Sequence, residues 1–175
     1  ENALPGSFRR LLARLGEHLQ HLARQVAELE GEILRWHRDN EASRRLAQIP
    51  GIGPLGASAL LATVGDAQTF ANGRQVSAWM GMVPRQASSG GKSTLLGMSK
   101  RGDSYLRTLL IHGARSVLQQ VERHPERAAP WLKQLLARRP KNVVAVALAN
   151  KNARIAWALL AHGRAYARHY TPAAT

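Results

Sequence analysis

The stretch from residue 83 to residue 107 brings serine hydroxyls, glycines and cations together. Its glycines, at positions 90, 91, 97 and 102, allow the backbone to approach a ligand closely. Arginine and lysine bind phosphate oxygens strongly, so the combination predicts a loop that handles phosphate. The alternative is a flexible surface loop that its charges keep soluble. The side chains in question are Ser88, Ser89, Ser93 and Ser99, with Arg85, Lys92, Lys100, Arg101 and Arg107 around them.

A nucleotide-hydrolysis loop does not fit this stretch. Gly90-Gly91-Lys92-Ser93 resembles the end of a Walker A motif, but that motif needs a glycine five residues before Gly91, where this chain has Gln86. The preceding residues also make a poor strand, which the motif requires.

A metal-dependent nuclease centre is also not expected from this chain alone. Past residue 46 the acidic residues are scattered, whereas two-metal phosphodiester chemistry needs converging carboxylates. They are Asp66, Asp103, Glu122 and Glu126. His18 and His21 lie one helical turn apart without an acidic third ligand, which favours solvated histidines. We therefore expect no metal site and no cofactor here.

A serine flanked by arginine and lysine needs no metal of its own to attack a phosphate. It does need a group that takes its proton, and no base is evident in the sequence. This gap suggests that a partner domain completes the site.

The charge of the chain is concentrated after residue 45. Residues 1–45 carry 8 Lys and Arg against 7 Asp and Glu, whereas residues 46–175 carry 17 against 4, a balance of +13. Such an excess predicts a polyanionic partner, with DNA or RNA favoured over an anionic membrane surface. Of the 25 basic residues, 20 are arginine, which binds phosphate through two parallel hydrogen bonds.

Before that basic part, apolar residues recur with alternating spacings of four and three over four heptads. This pattern is typical of a coiled coil, and it predicts one helix from about Ser7 to about Ala47 that pairs with another protomer. The alternative is a helix packed on its own domain. The seam consists of Phe8, Leu12, Leu15, Leu19, Leu22, Val26, Leu29, Ile33 and Trp36.

The segment Pro50-Gly51-Ile52-Gly53-Pro54 resembles the turn of a helix-hairpin-helix motif. Gly51 and Gly53 would present backbone N–H groups to a DNA phosphate without reading bases. The alternative is a tight turn between two helices.

The rest of the chain predicts helices, so the fold class is all-α: a long coiled-coil helix over 1–47, a compact helical domain over 48–170 and a tail over 171–175. Trp79 is expected in the core of that domain. The predicted helices cover residues 58–64, 75–80, 104–121, 128–138 and 142–168.

Five motifs together resemble the C-terminal transposase domain of the IS-one-ten insertion-sequence transposases, the RNA-guided bridge recombinases. Their order and spacing match over about residues 45–125. They are the turn 50–54, Trp79-Met80-Gly81-Met82-Val83-Pro84-Arg85, Ser88-Ser89-Gly90-Gly91-Lys92, Ser99-Lys100-Arg101-Gly102-Asp103 and Leu106-Arg107.

The resemblance implies DNA strand cleavage and exchange with Ser89 as the nucleophile, or its neighbour Ser88. It implies a RuvC-like domain with DEDD carboxylates and Mg²⁺, which this chain does not contain, so the fragment alone is expected to be inactive. It further implies a structured guide RNA, a homo-oligomer that forms a tetrameric synapse on DNA, and a bacterial, nucleoid-associated location in the cytoplasm. Two alternatives are a non-catalytic module that docks DNA or RNA and a coiled-coil scaffold that neutralises RNA.

Overall fold

A computed structural model gives the fold of residues 4–89 and 92–167, with side-chain positions at all of these except Ser89, Lys92 and Ser93. Seven helices and one two-stranded sheet make up this part of the chain, which confirms the predicted helical fold class. In chain order the elements are α1 (Gly6–Asp39), α2 (Glu41–Leu46), α3 (Pro54–Val64), α4 (Gly73–Trp79), β1 (Pro84–Ser89), β2 (Lys92–Met98), α5 (Ser104–Arg123), α6 (Pro130–Arg138) and α7 (Lys141–His162).

The long N-terminal helix is present but ends earlier than the sequence predicts. Asn40 leaves the helical conformation, and its side-chain oxygen accepts a hydrogen bond from the Ser43 backbone N–H, which starts α2 as a separate helix. His37 Nδ1 and the buried Ser43 hydroxyl lie 2.7 Å apart and join the two helices across this break.

The apolar seam of α1 lies in solvent. No residue of this helix is buried in the chain, and Leu19 is 66% exposed. Near its C-terminal end α1 packs against α2 and α3, where Ile33 and Trp36 lie beside Ser58 and Ala62. Most of a helix about 50 Å long therefore presents an apolar stripe without a partner among the described residues.

The core of the remaining domain is built around α7, which packs against α5 and α4. The contact face of α7 consists mainly of small side chains, which let the neighbouring helices approach closely: Val144, Ala145, Leu148, Ala149, Ala153, Ala156 and Leu159. By length and composition α7 could also cross a membrane, and a mostly buried core helix passes the same test.

Where the sequence indicates only a loop, the structure has an antiparallel hairpin. Gln86 pairs with Leu95, Ala87 with Thr94, Ser88 with Ser93 and Ser89 with Lys92, and the register shifts between Pro84 and Gln86. The connecting residues Gly90 and Gly91 lie outside the described part. A Gly-Gly pair between two runs of strand length indicates a hairpin. The sequence nevertheless predicted a loop, because the residues flanking this pair are rich in glycine and serine.

Two further expectations differ from the structure. The last helix ends at His162 rather than residue 168, because Gly163 adopts a left-handed conformation with φ of 61° that terminates α7. Trp79 is 38% exposed and packs against the Phe70 ring at 5.5 Å between centroids, so it lies at the edge of the core and not inside it.

Where α5 crosses the 50–54 turn, the close approach requires a glycine at position 113. A Cβ at Gly113 in α5 would collide with the Gly51 carbonyl oxygen. Gly113→Ala should therefore lower the free energy of unfolding by at least about 2 kcal/mol, although alanine favours a helix. The measurement is urea denaturation followed by circular dichroism.

The matched control is Gly56→Ala in α3, where the added Cβ would meet only the Ile52 side chain at 3.6 Å. This variant should be neutral or slightly stabilised. Equal midpoints for the two variants would contradict the proposed close approach.

Candidate nucleic-acid interface

The two ends of the hairpin cross at a pair of glycines. A Cβ at Gly81 would lie 2.5 Å from the Arg101 carbonyl oxygen, and one at Gly102 would collide with the Trp79 carbonyl oxygen. Both residues have positive φ, 70° and 145° respectively. Only glycine combines this backbone conformation with so close an approach, so the base of the hairpin is held in one geometry.

Backbone hydrogen bonds extend this fixed base. The Lys100 N–H donates to the Gly81 carbonyl at 3.0 Å, and the Ser99 N–H donates to the Val83 carbonyl at 2.9 Å. Lys100 itself has a φ of 56°, which is uncommon for a residue with a Cβ. The chain entering β1 and the chain leaving β2 are therefore bonded to each other before the strands begin.

Hydrogen bonds from side chains of α4, α5 and α7 connect this base to the core. Asn150 of α7 donates from Nδ2 to the Met82 carbonyl at 3.0 Å, and Ser77 of α4 donates to the Asn150 carbonyl at 3.5 Å. Arg107 of α5 donates from its guanidinium to the Met80 carbonyl at 3.1 Å. Arg107, which the sequence suggested as a nucleic-acid ligand, thus has a structural partner on the protein.

Beyond its base, the hairpin is exposed. Arg85 and Ser88 lie on β1 with exposed side chains, and the apolar Leu95 on β2 is 69% exposed. Because successive positions on a strand belong to opposite faces, positions 88 and 89 fall on different faces of the hairpin. The position of Ser89 pairs with that of Lys92, and the position of Ser88 pairs with that of Ser93. The side chains of Ser89 and Lys92 lie outside the described part of the chain.

Lys100 and Arg101 follow β2 directly and are both exposed. Together with Arg85 they place three cations on the described part of the hairpin and its base. None of them pairs with a carboxylate in that part of the chain. The exposed hairpin is therefore a positively charged projection, as expected of a surface that binds phosphate.

The two glycines of the 50–54 turn have different surroundings. Gly51, with φ of 91°, packs against α5, and a Cβ there would lie 2.7 Å from the Gly113 carbonyl oxygen. The Asn152 side chain donates from Nδ2 to the neighbouring Pro50 carbonyl at 2.8 Å. Gly53, by contrast, is exposed at the start of α3 with open space around its Cα. The structure thus assigns Gly51 to packing and leaves Gly53 accessible.

The four acidic residues after position 46 each have a structural partner. Asp66 and Asp103 cap helical turns by accepting hydrogen bonds from backbone N–H groups, Glu122 pairs with Lys141, and Glu126 lies near His124 and Arg127. Among the described residues no group of three histidine or acidic side chains could hold a metal ion. The described residues therefore do not by themselves provide a set of side-chain ligands for Mg²⁺.

Sequence reasoning missed the residues that position the hairpin and the turn. Asn150 and Asn152 stand out in the sequence as the most polar point of an apolar helix, but nothing in the pattern says which carbonyls they bind. Gly81, Gly102 and Gly113 are visible as glycines, yet their role depends on segments that are distant in sequence and meet only in the folded chain.

Comparisons with known proteins agree on one family. The model of the family described as Transposase IS116/IS110/IS902 matches residues 43–131, just over half of the chain. A probable family 20 transposase of Pseudomonas aeruginosa is 52% identical over 163 residues, which cover 93% of this chain and 48% of that protein. The transposase for insertion sequence element IS1328 of Yersinia enterocolitica is 45% identical over 168 residues, 96% of this chain and 50% of that protein. The transposase for element IS1111A of Coxiella burnetii is 46% identical over 159 residues, 91% and 44% respectively. The chain thus spans about half the length of the curated relatives it matches.

The hydrogen bond from Asn152 to the Pro50 carbonyl should contribute measurably to stability. Asn152 is buried, so Asn152→Leu leaves the carbonyl of Pro50 without this donor and should cost about 1–3 kcal/mol of unfolding free energy. Urea denaturation measures the loss. Asn142→Leu, at an exposed position in the first turn of the same helix, is the control; it loses only an exposed 3.4 Å hydrogen bond from Arg115 and should change little. Equal losses of unfolding free energy in the two variants would contradict the anchoring role of Asn152.

Proposed function

We propose that this chain, which belongs to the IS116/IS110/IS902 transposase family, is the serine-bearing, DNA-binding part of a DNA transposase. The family match confirms the resemblance seen in the five sequence motifs. The chain spans about half the length of these curated relatives, and we propose that the activity of the whole protein needs residues beyond those of this chain.

The observation that carries the proposal is the fixed hairpin. A mobile serine would have to be ordered against a phosphate at each turnover, whereas a strand rooted at a glycine crossing holds its residues in place beforehand. The serines lie beyond this base, among cations that could offset charge on phosphate oxygens. Rigid support at the base and exposure beyond it suit a nucleophile that must reach a large substrate.

In the proposed reaction the serine Oγ attacks the phosphorus of a DNA strand. The new bond joins serine to phosphorus, the bond from phosphorus to a deoxyribose oxygen breaks, and that oxygen takes up a proton. Attack of the freed deoxyribose hydroxyl of another strand on the phosphoserine would then reseal the DNA and release the serine. We assign the nucleophile to Ser89, with Ser88 as the alternative one position away.

The proton acceptor and the metal are proposed to come from the DEDD domain of the longer protein. Mg²⁺ bound there would stabilise charge on the phosphate. The carboxylates of this chain past residue 46 are committed to caps and ion pairs, which supports placing the metal ligands elsewhere. The role of this chain would be to bind DNA, orient the scissile phosphate and supply the hydroxyl.

The exposed cations Arg85, Lys100 and Arg101 on or beside the hairpin are proposed to bind DNA phosphates, and the exposed Gly53 to present its backbone N–H at the start of α3. Lys92 is proposed as a further phosphate ligand from its place in the sequence. Arg107 would support this surface from beneath through its bond to Met80. A structured guide RNA is proposed as a second polyanionic partner, in keeping with the balance of +13 past residue 46.

A second candidate function is a non-catalytic module that docks DNA or RNA through the turn before α3. The accessible Gly53, with open space around it, favours this alternative. Such a module would be indifferent to every serine of the hairpin, so serine variants separate the two functions.

The serine assignment is tested in the full-length transposase with its noncoding RNA and a labelled DNA substrate. Ser89→Ala should lower strand cleavage by at least about a thousandfold and abolish the covalent protein–DNA adduct, because the nucleophile is gone. DNA binding, measured by mobility shift, should remain within about twofold, since a neutral hydroxyl contributes little to phosphate affinity.

Ser99→Ala is the matched control, because this serine lies at the hairpin base and its bond to Val83 comes from the backbone. It should retain cleavage. Loss of strand cleavage in Ser88→Ala but not in Ser89→Ala would assign the nucleophile to Ser88. Normal cleavage by both the Ser88 and the Ser89 variants would support the docking module instead.

The exposed seam of α1 supports association through this helix. Eight of the nine predicted seam residues are large apolar side chains at least 43% exposed in the single chain. Their positions at a and d of successive heptads are those that a coiled coil buries. We propose that α1 pairs with the same helix of a second protomer, as a step toward the synapse.

Val26→Asp tests this pairing. The substitution places a charge in the proposed seam, where burial without a partner is costly, and should raise the dimer dissociation constant about a hundredfold or more. Sedimentation of this chain measures the change. Gln20→Asp adds the same charge at an exposed b position, on the face away from the seam, and should leave the association unchanged. A wild-type chain that sediments as a monomer would contradict the pairing.

A further inference from the structure

A second charged feature lies away from the hairpin. A cavity of about 1,670 Å³ is bounded by α5, α7 and the segments 50–51, 72–74, 124–132 and 164–167, and none of the described hairpin residues lines it. Small-molecule sites usually measure about 300–1,000 Å³, so this volume suits a segment of a polymer.

The walls of this cavity carry an excess of positive charge. Among the described residues, five cations and one carboxylate line it, and that carboxylate, Glu126, lies near His124 and Arg127. The other four cations form no salt bridge within the part of the chain that the structure describes. We call these four side chains the cavity cations: Arg74, Lys151, Arg154 and Arg164.

The fold places the four cavity cations around one recess. Gly73 at the start of α4 packs on α7, where its Cβ would lie 3.0 Å from the Arg154 Cα, and this contact sets Arg74 beside Arg154. Lys151 lies one turn before Arg154 on the same helix. Burial and the neighbouring Arg154 charge both lower the pKa of Lys151 from its ordinary value. A bound anion would relieve that repulsion.

Between these charges the cavity has an apolar lining. Trp131 is half-buried, with Lys151 Nζ 4.0 Å from its ring centroid, and Leu148, Ile155 and Trp157 continue the surface. A DNA duplex presents its phosphates on a convex surface and keeps its bases inside, so it has no groups that would occupy an apolar recess. An unpaired strand has both, and grooves that bind single strands combine cations with aromatic side chains.

We propose that this cavity binds a single-stranded stretch of polynucleotide, with phosphates on the cavity cations and bases against the apolar lining. The inference rests on the proposed nucleic-acid function and adds to it a second surface, separate from the serine-bearing hairpin. Unpaired strands must exist wherever strands are cut and exchanged, and a dedicated surface would keep one of them from reannealing.

The experiment compares Arg74→Gln/Arg154→Gln with the wild-type chain, using fluorescence anisotropy of labelled oligothymidylate and of a mixed-sequence duplex. Loss of two phosphate contacts should reduce the slope of log affinity against log salt for the single strand by about 1.4. At 0.15 M salt this corresponds to about tenfold weaker binding of the single strand. Duplex affinity should stay within about twofold.

Arg138→Gln/Arg139→Gln is the control, because it removes the same charge from exposed positions on the same domain that do not line the cavity. An equal loss in this control, or an equal loss for the duplex, would reduce the effect to general electrostatics and overturn the proposal. Both double variants should keep the thermal midpoint of the wild-type chain, because the substituted side chains are exposed. An unchanged midpoint excludes a loss of binding through unfolding.

The same measurement with oligouridylate distinguishes the two sources of such a strand. A larger loss with oligothymidylate would identify unpaired DNA, and a larger loss with oligouridylate would identify RNA; either supports the cavity. If the cavity variant leaves both single strands unaffected while duplex binding is normal, the cavity inference fails and the proposed transposase function stands. Absence of any nucleic-acid binding would refute both.

Discussion

The close packing of α7 against α4 and α5 is the constraint on which the other features depend. Small side chains on α7 let its neighbours approach, and the same helix places Asn150 and Asn152 within reach of two separate loops. One side chain binds the Met82 carbonyl at the hairpin base, and the other binds the Pro50 carbonyl in the turn before α3. A single buried helix thereby fixes both candidate DNA-binding loops relative to each other, and displacement of α7 would move them together.

The base of the hairpin is fixed, whereas the strands beyond it are exposed. At its base, two glycine-dependent contacts and several backbone bonds leave no room for alternative geometries. Beyond the base, Arg85, Ser88 and Leu95 are exposed. An enzyme that acts on a long polymer cannot enclose its substrate as a small-molecule enzyme does. In the proposed function, a serine on a fixed but projecting strand would meet that constraint, and the opposite side of the phosphate would stay open to a second domain.

Three surfaces of the chain lack a partner among the described residues. The α1 stripe is apolar and exposed, the hairpin cations lack carboxylate partners, and Arg154 lies close enough to Lys151 to lower the pKa of that lysine. The occupants that we propose for them are a helix, a DNA phosphate and an unpaired strand. Since the chain spans about half of its curated relatives, these surfaces are consistent with contacts to other protomers, other domains and nucleic acid.

Features that depend on local patterns were predictable from the amino-acid sequence alone. Heptad spacing identified the long helix, charge counts identified the basic part, and five motifs identified the family, because periodicity, composition and short motifs are readable along the chain. The folded chain was needed to show which glycines are packed, that Arg107 supports the hairpin base, and that four cations from three segments line one cavity. The hairpin replaced an expected loop because the glycine and serine residues around the Gly-Gly pair favour a loop in the sequence. The bond that anchors the hairpin base comes from Asn150, 68 positions after Met82, and such a contact leaves no periodic trace.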